Sequence, residues 1–290
     1  MRAGLTRWIA ISGLILLSSV SSASGYRASL NEADWLLDLS VFECRMWQPI
    51  DHYGDAVFQY RAGEHQRFYL EPSRQEMRAG KALLTVQAPV WDEKRKPFSL
   101  GYVPVTDSKH PIRLEPDLST RLLNELYEGN SPRFQRRSWY ANDTSVVVAL
   151  SSVNFRKAYR AYRDCIVGLL PVNFDQISRS RVHFATGKWD INDETRRRLD
   201  LIVMYAKADA SVNAFYIDGH TDDVGRRLSN LELSKNRAEA VAAYLIAKGI
   251  DSTLITTRYH GERYPVAPNT NAANRQKNRR VTIRLDRGEA

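Results

Sequence analysis

The sequence has few cysteines, and apart from one apolar run near its start it has no long apolar segment. Each of these absences excludes some classes of protein. Nothing after residue 23 is apolar for long enough to cross a bilayer core of about 30 Å as a helix, which needs about 20 residues. Near the start, Arg2 and Arg7 precede the apolar run Trp8–Leu17, and small residues follow it. This pattern predicts a secretory signal peptide over residues 1–23. A transmembrane anchor is the competing interpretation, but the run is about ten residues too short.

Only two cysteines occur in the 290 residues, Cys44 and Cys165. In an exported protein an even number of cysteines favours one disulfide, because oxidising compartments preserve the bond. Closing so long a loop would stabilise the fold by roughly 4 to 5 kcal/mol in the chain-entropy model. Two buried thiols are the alternative, and two isolated cysteines do not form a metal-binding pattern.

The chain also lacks an acidic excess, since its formal net charge is +9. This charge suggests an anionic partner, which could be nucleic acid, anionic lipid or an anionic polymer of the cell envelope. Export argues against nucleic acid. A hydrophobic content of 43% and a charged content of 26% are typical of a globular protein rather than a disordered one. The length favours two domains.

The first domain is predicted over residues 24–170 as a β-rich sandwich or barrel-like domain with helices. Short runs of aromatic and β-branched residues, interrupted by Gly and Pro, predict its strands. Leucines at helical spacing predict a helix over residues 117–129. A second helix is predicted over residues 151–170, because five of its apolar residues share one helix face: Phe155, Tyr159, Tyr162, Ile166 and Leu169.

The second domain is predicted over residues 171–290, after a boundary at PVNFDQISRS. Its rhythm is β-α-β-α-β-β, which indicates a mixed sheet with helices on one face and makes the whole chain α+β. The first helix is expected over Asn192–Lys207. The second is expected to begin with a capping pattern at Ser229 and Glu232 and to end at Gly249, with a strand, a loop and a last strand after it.

An acidic loop precedes the second helix of this domain. Asp222 follows the predicted strand SVNAFYIDG, and Arg237 lies two turns into the helix. Strand ends are places where a scaffold presents ligand-binding groups. If the helix packs along the sheet, Arg237 can face the same crevice as Asp222. The residue types alone fit an ordinary surface ion pair equally well.

Residues 181–286 resemble the OmpA-like peptidoglycan-binding domain. The resemblance rests on four ordered motifs: GHTDDVG, NLELSKNRAEAVAAYL, GERYPVAPN and NRRVTIRL. It implies that Asp222 and Arg237 hold the ammonium and the carboxylate of diaminopimelate in the peptidoglycan stem peptide. On this basis, replacing either residue is expected to abolish wall binding and leave thermal unfolding nearly unchanged.

Neighbouring residues are assigned to the same site as a second rank. They are Thr221, Asn230, Leu233, Ser234 and Arg280. Thr221, Leu233 and Ser234 are expected to shape the start of the helix, and Asn230 to contact ligand backbone. Asn269 and Asn271 are assigned either to that contact or to a turn.

Further expectations concern the glycines and the basic residues of the motifs. Gly219 and Gly225 are expected to allow tight turns. Arg279 and Arg280 are expected to be charges at a sheet edge, where they could contact the ligand.

The stretch from Trp35 to Glu64 resembles the MotY family of periplasmic components of polar flagellar motors, and with Cys165 the resemblance covers nearly the whole mature chain. It implies a structural protein of the periplasm, near the flagellar basal body and the cell wall. The implied partners are the basal body, a MotX-like protein and the stator proteins. A general OmpA-like anchor between outer membrane and wall, without a flagellar role, is the alternative.

Two other classes of protein are disfavoured by the residue patterns. An enzyme with a metal bound by His183, His220, Asp222 and His260 matches no known ligand spacing, so we predict no catalytic residue, no metal and no cofactor. An outer-membrane barrel needs at least about eight alternating strands of about ten residues, and the N-terminal region offers too few.

Overall fold

The computed structural model describes residues 22–28, 33–89, 91–92, 94–140 and 144–288. The predicted signal peptide lies outside the described residues as far as residue 21. Its last two residues, Ser22 and Ala23, already belong to the first strand, β1 (Ser22–Arg27). Cleavage after Ala23 would therefore shorten this strand at its start.

The N-terminal region contains ten strands and two helices among the described residues. In chain order they are β1, β2 (Leu36–Leu39), β3 (Glu43–Ile50), β4 (Gly54–Arg61), β5 (Arg67–Pro72), β6 (Gly80–Gln87), β7 (Phe98–Val105), β8 (Ile112–Leu114), α1 (Pro116–Tyr127), β9 (Ser131–Arg137), β10 (Thr144–Ala149) and α2 (Phe155–Val167).

These strands form two five-stranded sheets that enclose one core. The strand orders are β1-β10-β9-β6-β7 and β2-β3-β4-β5-β8, and β1 with β10 is the parallel pair among otherwise antiparallel neighbours. Phe68 of one sheet stacks on Phe134 of the other with ring centroids 5.5 Å apart. Both rings are fully buried. The β-rich sandwich with helices is therefore confirmed.

Helix α2 is fastened to the sandwich by the disulfide between Cys165 and Cys44 of β3. The predicted pairing is confirmed, and the two Cα atoms lie 6.0 Å apart. Phe155 and Tyr162 of the predicted apolar face are fully buried in the core. The bond encloses a long stretch of chain, since its cysteines are 121 residues apart in sequence.

The junction between the two regions is a short helix, α3 (Phe174–Ile177), rather than an extended linker. Asn173 and Gln176 form a reciprocal capping box at its start. Gln176 also donates to the backbone oxygen of Gly63 at 2.8 Å, and Phe42 packs against Tyr205 with ring centroids 5.3 Å apart. The N-terminal sandwich and the C-terminal region are thus held by direct contacts on both sides of α3.

The C-terminal region is a mixed four-stranded sheet of order β11-β14-β12-β13. Its elements are β11 (Arg179–His183), α4 (Asp193–Ala208), β12 (Val212–Gly219), α5 (Arg227–Ala247), a 3-10 helix (Ser252–Leu254), β13 (Ile255–Tyr259), α6 (Ala272–Asn278) and β14 (Arg280–Arg287). Apolar residues of α4 and α5, such as Leu199 and Val241, share one core with Ile217 and Ile283 of the sheet. This agrees with the expected β-α-β-α-β-β fold.

Two local expectations for this region are wrong. Helix α5 begins at Arg227, ahead of the predicted cap, and Arg226 in the cap position forms no side-chain cap. Ser229 therefore lies inside the first turn. The predicted loop before the last strand contains α6, whose first turn is capped by Asn271 through a bond from the Asn274 N–H at 2.9 Å.

Candidate functional site

Asp222 lies in the loop between β12 and α5 and is 5% exposed. Its Oδ2 accepts a hydrogen bond from Nη1 of Arg279 at 2.8 Å. Among the described residues, its Oδ1 accepts only the long hydrogen bond from the Val224 N–H at 3.4 Å. A carboxylate oxygen can accept about two hydrogen bonds. Asp222 is therefore held in place by one oxygen and keeps capacity to accept on the other.

Arg237 lies deeper than the sequence suggested, because it has no exposed surface. Its guanidinium donates to three backbone oxygens: Nε to Lys188 at 2.9 Å, Nη1 to His220 at 3.0 Å and Nη2 to Ala185 at 3.0 Å. Burial lowers the pKa of Arg237 to about 10, and the negative charge of Asp222 opposes this shift. The negative charge of Asp222 thus acts electrostatically on Arg237. The hydrogen bonds of Arg237 join α5 to the segment after β11.

Arg279 and Arg280 are not charges at a sheet edge. Arg279 directly precedes the inner strand β14 and Arg280 is its first residue, and they are 9% and 4% exposed. Arg279 pairs with Asp222, whereas Nη2 of Arg280 donates to the backbone oxygen of Tyr264 at 3.0 Å. The sequence does not indicate this role, because arginine alternates with apolar residues there and basic residues near strand ends are commonly exposed.

Thr221, Asn230 and Ser234, which were assigned to the site with Asp222, are all buried. Asn230 donates from Nδ2 to the backbone oxygen of Asp222 at 3.3 Å and to Oε2 of Glu262 at 2.7 Å. Thr221 has a buried hydroxyl for which the described residues supply no hydrogen-bond partner. A buried hydroxyl without a partner is costly and marks a place where a ligand group or a water could bind.

Ser234 and Leu233 have different surroundings on α5. The Ser234 hydroxyl donates to Leu231 O at 2.7 Å and accepts from the Gly261 N–H at 3.0 Å, which ties the helix to the loop after β13. Leu233 is half-buried. The Ser234 hydroxyl is therefore engaged within the protein both as a donor and as an acceptor.

The two glycines of the acidic loop meet different requirements. Gly225 has a φ of 109°, so it provides the expected turn. Gly219 is needed for close packing instead, because an added Cβ would lie 2.0 Å from the backbone oxygen of Ser234. Helix α5 can approach β12 at this point only because a side chain is absent.

The histidines near the loop are stacked rather than arranged around a metal. The rings of His220 and His260 lie 5.0 Å apart, and Nε2 of His260 is 3.0 Å from Oδ1 of Asp218. Burial, helped by the charge of Arg280, lowers the pKa of His220 to about 3. Within the described part of the chain, no three His, Cys, Asp or Glu side chains are close enough together to hold a metal ion.

The comparisons with known proteins agree with this division into two regions. The MotY N-terminal domain family matches residues 26–171, just over half of the chain, and the OmpA family matches residues 183–279. The second region is thus an OmpA family domain.

One relative matches over almost its whole length. The sodium-type flagellar protein MotY of Vibrio parahaemolyticus is 27% identical over 98% of this chain and 99% of its own. The chain belongs to the MotY family, and it is a MotY-like flagellar protein with an OmpA domain. Like these families, it is structural and not an enzyme.

Two further similarities concern the C-terminal region. The peptidoglycan-associated lipoprotein of Haemophilus influenzae is 28% identical over 52% of this chain and 97% of its own. The crystal structure of the C-terminal domain of Helicobacter pylori MotB is 28% identical, covering 38% of this chain and 85% of that one, with a TM-score of 0.35. In the described residues, no helix is long and apolar enough to cross a membrane.

Proposed function

We propose that this protein is a structural component of the flagellar motor that is anchored to the cell wall in the periplasm. Residues 171–290 bind peptidoglycan, residues 24–170 join the flagellar basal body, and residues 1–23 direct export. The near full-length similarity to a flagellar MotY protein supports the second role, and the similarity to a peptidoglycan-associated lipoprotein supports the first.

The open oxygen of Asp222 is the observation that carries the wall-binding proposal. Arg279 holds Oδ2, so Oδ1 is positioned to accept from an ammonium group. Meso-diaminopimelate in the stem peptide carries an ammonium and a carboxylate on one carbon atom. The ammonium binds Oδ1 of Asp222 in a charge-assisted hydrogen bond. The unpartnered hydroxyl of Thr221 lies next in the chain and can bind a further polar group of the peptide.

Arg237 binds the carboxylate of the same stereocentre. A guanidinium has five N–H donors, and three of the donors of Arg237 are used by backbone oxygens. The remaining two can bind a carboxylate. Arg237 has no exposed surface, so a carboxylate reaches these donors only when the exposed segment that contains Ala185 and Lys188 is displaced.

The N-terminal sandwich joins the basal body with a MotX-like partner and supports assembly of the stator proteins. The disulfide and the contacts around α3 favour a rigid link between this sandwich and the wall-binding domain. A rigid link can hold a motor component at a fixed distance from the wall.

Sedimentation with purified peptidoglycan sacculi tests the wall-binding role. We expect the full-length protein to sediment with sacculi and free meso-diaminopimelate to compete. Asp222→Asn removes the charge that binds the ammonium, and it should weaken binding by tenfold or more, which is about 1.4 kcal/mol. Asp223→Asn is the matched control, because Asp223 is the exposed neighbour in the same loop.

Equal sedimentation of the Asp222 and Asp223 variants would refute the assignment, provided that both are folded at the assay temperature. Localisation tests the motor role separately. A fluorescent fusion of the full-length protein is expected at the flagellated pole of a host lacking its own copy. A diffuse periplasmic signal would contradict the motor role and leave the wall-binding result unaffected.

A further inference from the structure

The N-terminal sandwich contains a cavity whose lining residues are far from Asp222 in sequence. Its volume is about 750 Å³, and its lining comes from β1, β9, β10 and the facing ends of α1 and α2. This is within the range of about 300 to 1,000 Å³ that is typical of ligand sites.

Two arginines face this cavity from strands on either side of β10, without an acidic partner among the described residues. Arg27 of β1 and Arg133 of β9 both pair in register with Ala149 of β10, one on each side. Their Cα atoms are therefore about 10 Å apart, two strand spacings. Nε of Arg133 is buried without a hydrogen-bond partner. Burial lowers the pKa of Arg133, and the positive charge of Arg27 lowers it further.

The first turn of α2 adds positive charge to the same cavity. Arg156 and Lys157 occupy this turn, which has no acidic residue, and Asn154 in the cap position forms no side-chain cap. Helix starts ordinarily favour negative side chains, because their free N–H groups carry partial positive charge. Two cationic side chains in this turn add to the partial positive charge of the free N–H groups. The start of α2 therefore favours a bound anion. Lys157 has no ion pair with the described residues.

Negative charge in the lining is limited to one carboxylate among the described residues. Glu128 provides it, and its Oε2 already faces Nη1 of Arg95 at 3.4 Å. The cavity therefore keeps an uncompensated positive charge.

The rest of the lining contains apolar residues together with hydroxyl and amide side chains such as Ser131 and Gln87. Leu126 and Phe155 are 1% and 0% exposed, whereas Trp91 is 79% exposed. Because the deeper apolar side chains are covered, an apolar side chain that enters the cavity would stack on Trp91.

We propose that this cavity is the docking site for an acidic peptide segment of a protein partner, with its carboxylates on Arg27, Arg133 and the start of α2 and an apolar side chain against Trp91. Charged groups recognised by arginine and apolar anchors in a pocket are the features of peptide recognition surfaces. The inference rests on the proposed function only in giving the N-terminal sandwich a protein partner.

Fluorescence anisotropy with a defined probe tests the proposal on the full-length protein. The probe is a short fluorescein-labelled peptide in which glutamates flank one phenylalanine, and its control has glutamine in place of each glutamate. The cavity variant is Arg27→Gln with Lys157→Gln, and the control variant is Arg78→Gln with Lys81→Gln. All four residues are exposed, and both variants lose the same net charge.

We expect saturable binding of the glutamate peptide, weakened about tenfold or more in the cavity variant and unchanged in the control variant. Unspecific attraction to a basic protein would weaken equally in both variants. The proposal is overturned if the wild-type protein binds the glutamate peptide without saturation or not at all, if the glutamine peptide binds equally well, or if both variants bind alike. Binding to phosphatidylglycerol vesicles through the cavity residues, without peptide binding, would overturn it in favour of lipid.

Two controls separate this proposal from the others. Equal thermal unfolding of the two variants shows that any loss of binding does not come from misfolding. Sedimentation of the cavity variant with sacculi is expected to match the wild type, so a failure of peptide docking is distinguishable from a failure of wall binding.

Discussion

Arg279 donates a hydrogen bond from Nη1 to Oδ2 of Asp222 over 2.8 Å, and both residues are buried. Arg279 directly precedes β14 and Asp222 follows β12, so the bond joins the ends of neighbouring strands. The pair orients the carboxylate toward the loop that precedes α5. Arg279 is accordingly a positioning residue for the proposed ligand-binding oxygen of Asp222.

The energetic coupling of this pair can be measured with a double-mutant cycle. We expect Arg279→Gln to lower the free energy of unfolding by about 3 kcal/mol, because it leaves a buried carboxylate without its cation. The double variant with Asp222→Asn should lose less than the sum of the single losses, by at least about 1 kcal/mol. Urea unfolding of the four proteins provides the measurement, and additive losses would contradict a direct interaction.

Replacing Arg237 by lysine is expected to destabilise the fold as well as weaken wall binding. One ammonium cannot reproduce a planar fork that serves three backbone oxygens. We expect a loss of about 2 to 3 kcal/mol for the backbone oxygens left unpaired. Arg227→Lys at the exposed start of the same helix is the control. Unchanged thermal unfolding of the Arg237 variant, which the motif resemblance alone predicts, would contradict this expectation.

His220 is expected to make the protein less stable in mild acid. Its pKa is lowered from 6.5 to about 3 by burial, so below about pH 6.5 the unfolded chain takes up a proton that the folded protein does not. Stability is therefore full above this pH and falls by up to about 1.4 kcal/mol per pH unit as the pH drops toward 3. Urea unfolding at several pH values should show a smaller decline for His220→Gln than for wild type. His65→Gln, at an exposed histidine, should retain the wild-type decline; equal slopes in all three proteins would contradict the prediction.

Loss of the disulfide should destabilise the N-terminal sandwich. Its cysteines are 121 residues apart, and the chain-entropy model gives a stabilisation of about 4 to 5 kcal/mol for closing so long a loop. We expect Cys44→Ser with Cys165→Ser to lose about this much in urea unfolding. A reducing agent should destabilise the wild type similarly and leave the double variant unchanged. A difference of less than about 1 kcal/mol would show that the unfolded chain gains little freedom when the bond is removed.

Patterns that repeat along the chain predicted a large part of the fold. The apolar face of α2 was visible because its residues recur at helical spacing, and Phe155 and Tyr162 are indeed in the core. Strand β9 does not fit the runs of aromatic and β-branched residues that predict strands, because its sequence, SPRFQRR, is mostly polar. It forms an inner strand through Phe134 and its backbone bonds to two neighbours. Helix α6 was missed because it is short and polar, so its stability comes from its cap and its packing.

The candidate site was only partly predictable for a related reason. Motif spacing selected Asp222 and Arg237, and no local pattern indicated Arg279 as the partner of Asp222, since 57 residues separate them. The peptide-docking cavity gave no motif at all, because Arg27 and Arg133 become neighbours only through pairing of their strands with β10.

Composition, periodicity and motif order were sufficient to predict an α+β chain with a cysteine pair and an OmpA-like second domain. These features depend on residues close together in sequence. Whether a charged side chain is buried depends on segments that are distant in sequence and that folding brings together. Arg237 can be buried because its guanidinium donates to carbonyl groups 49 and 52 residues away. Arg27 and Arg133 face the cavity, and no acidic residue among the described ones pairs with them. Burial and pairing of charge set the energies of both proposed sites, so their chemistry follows from the three-dimensional arrangement.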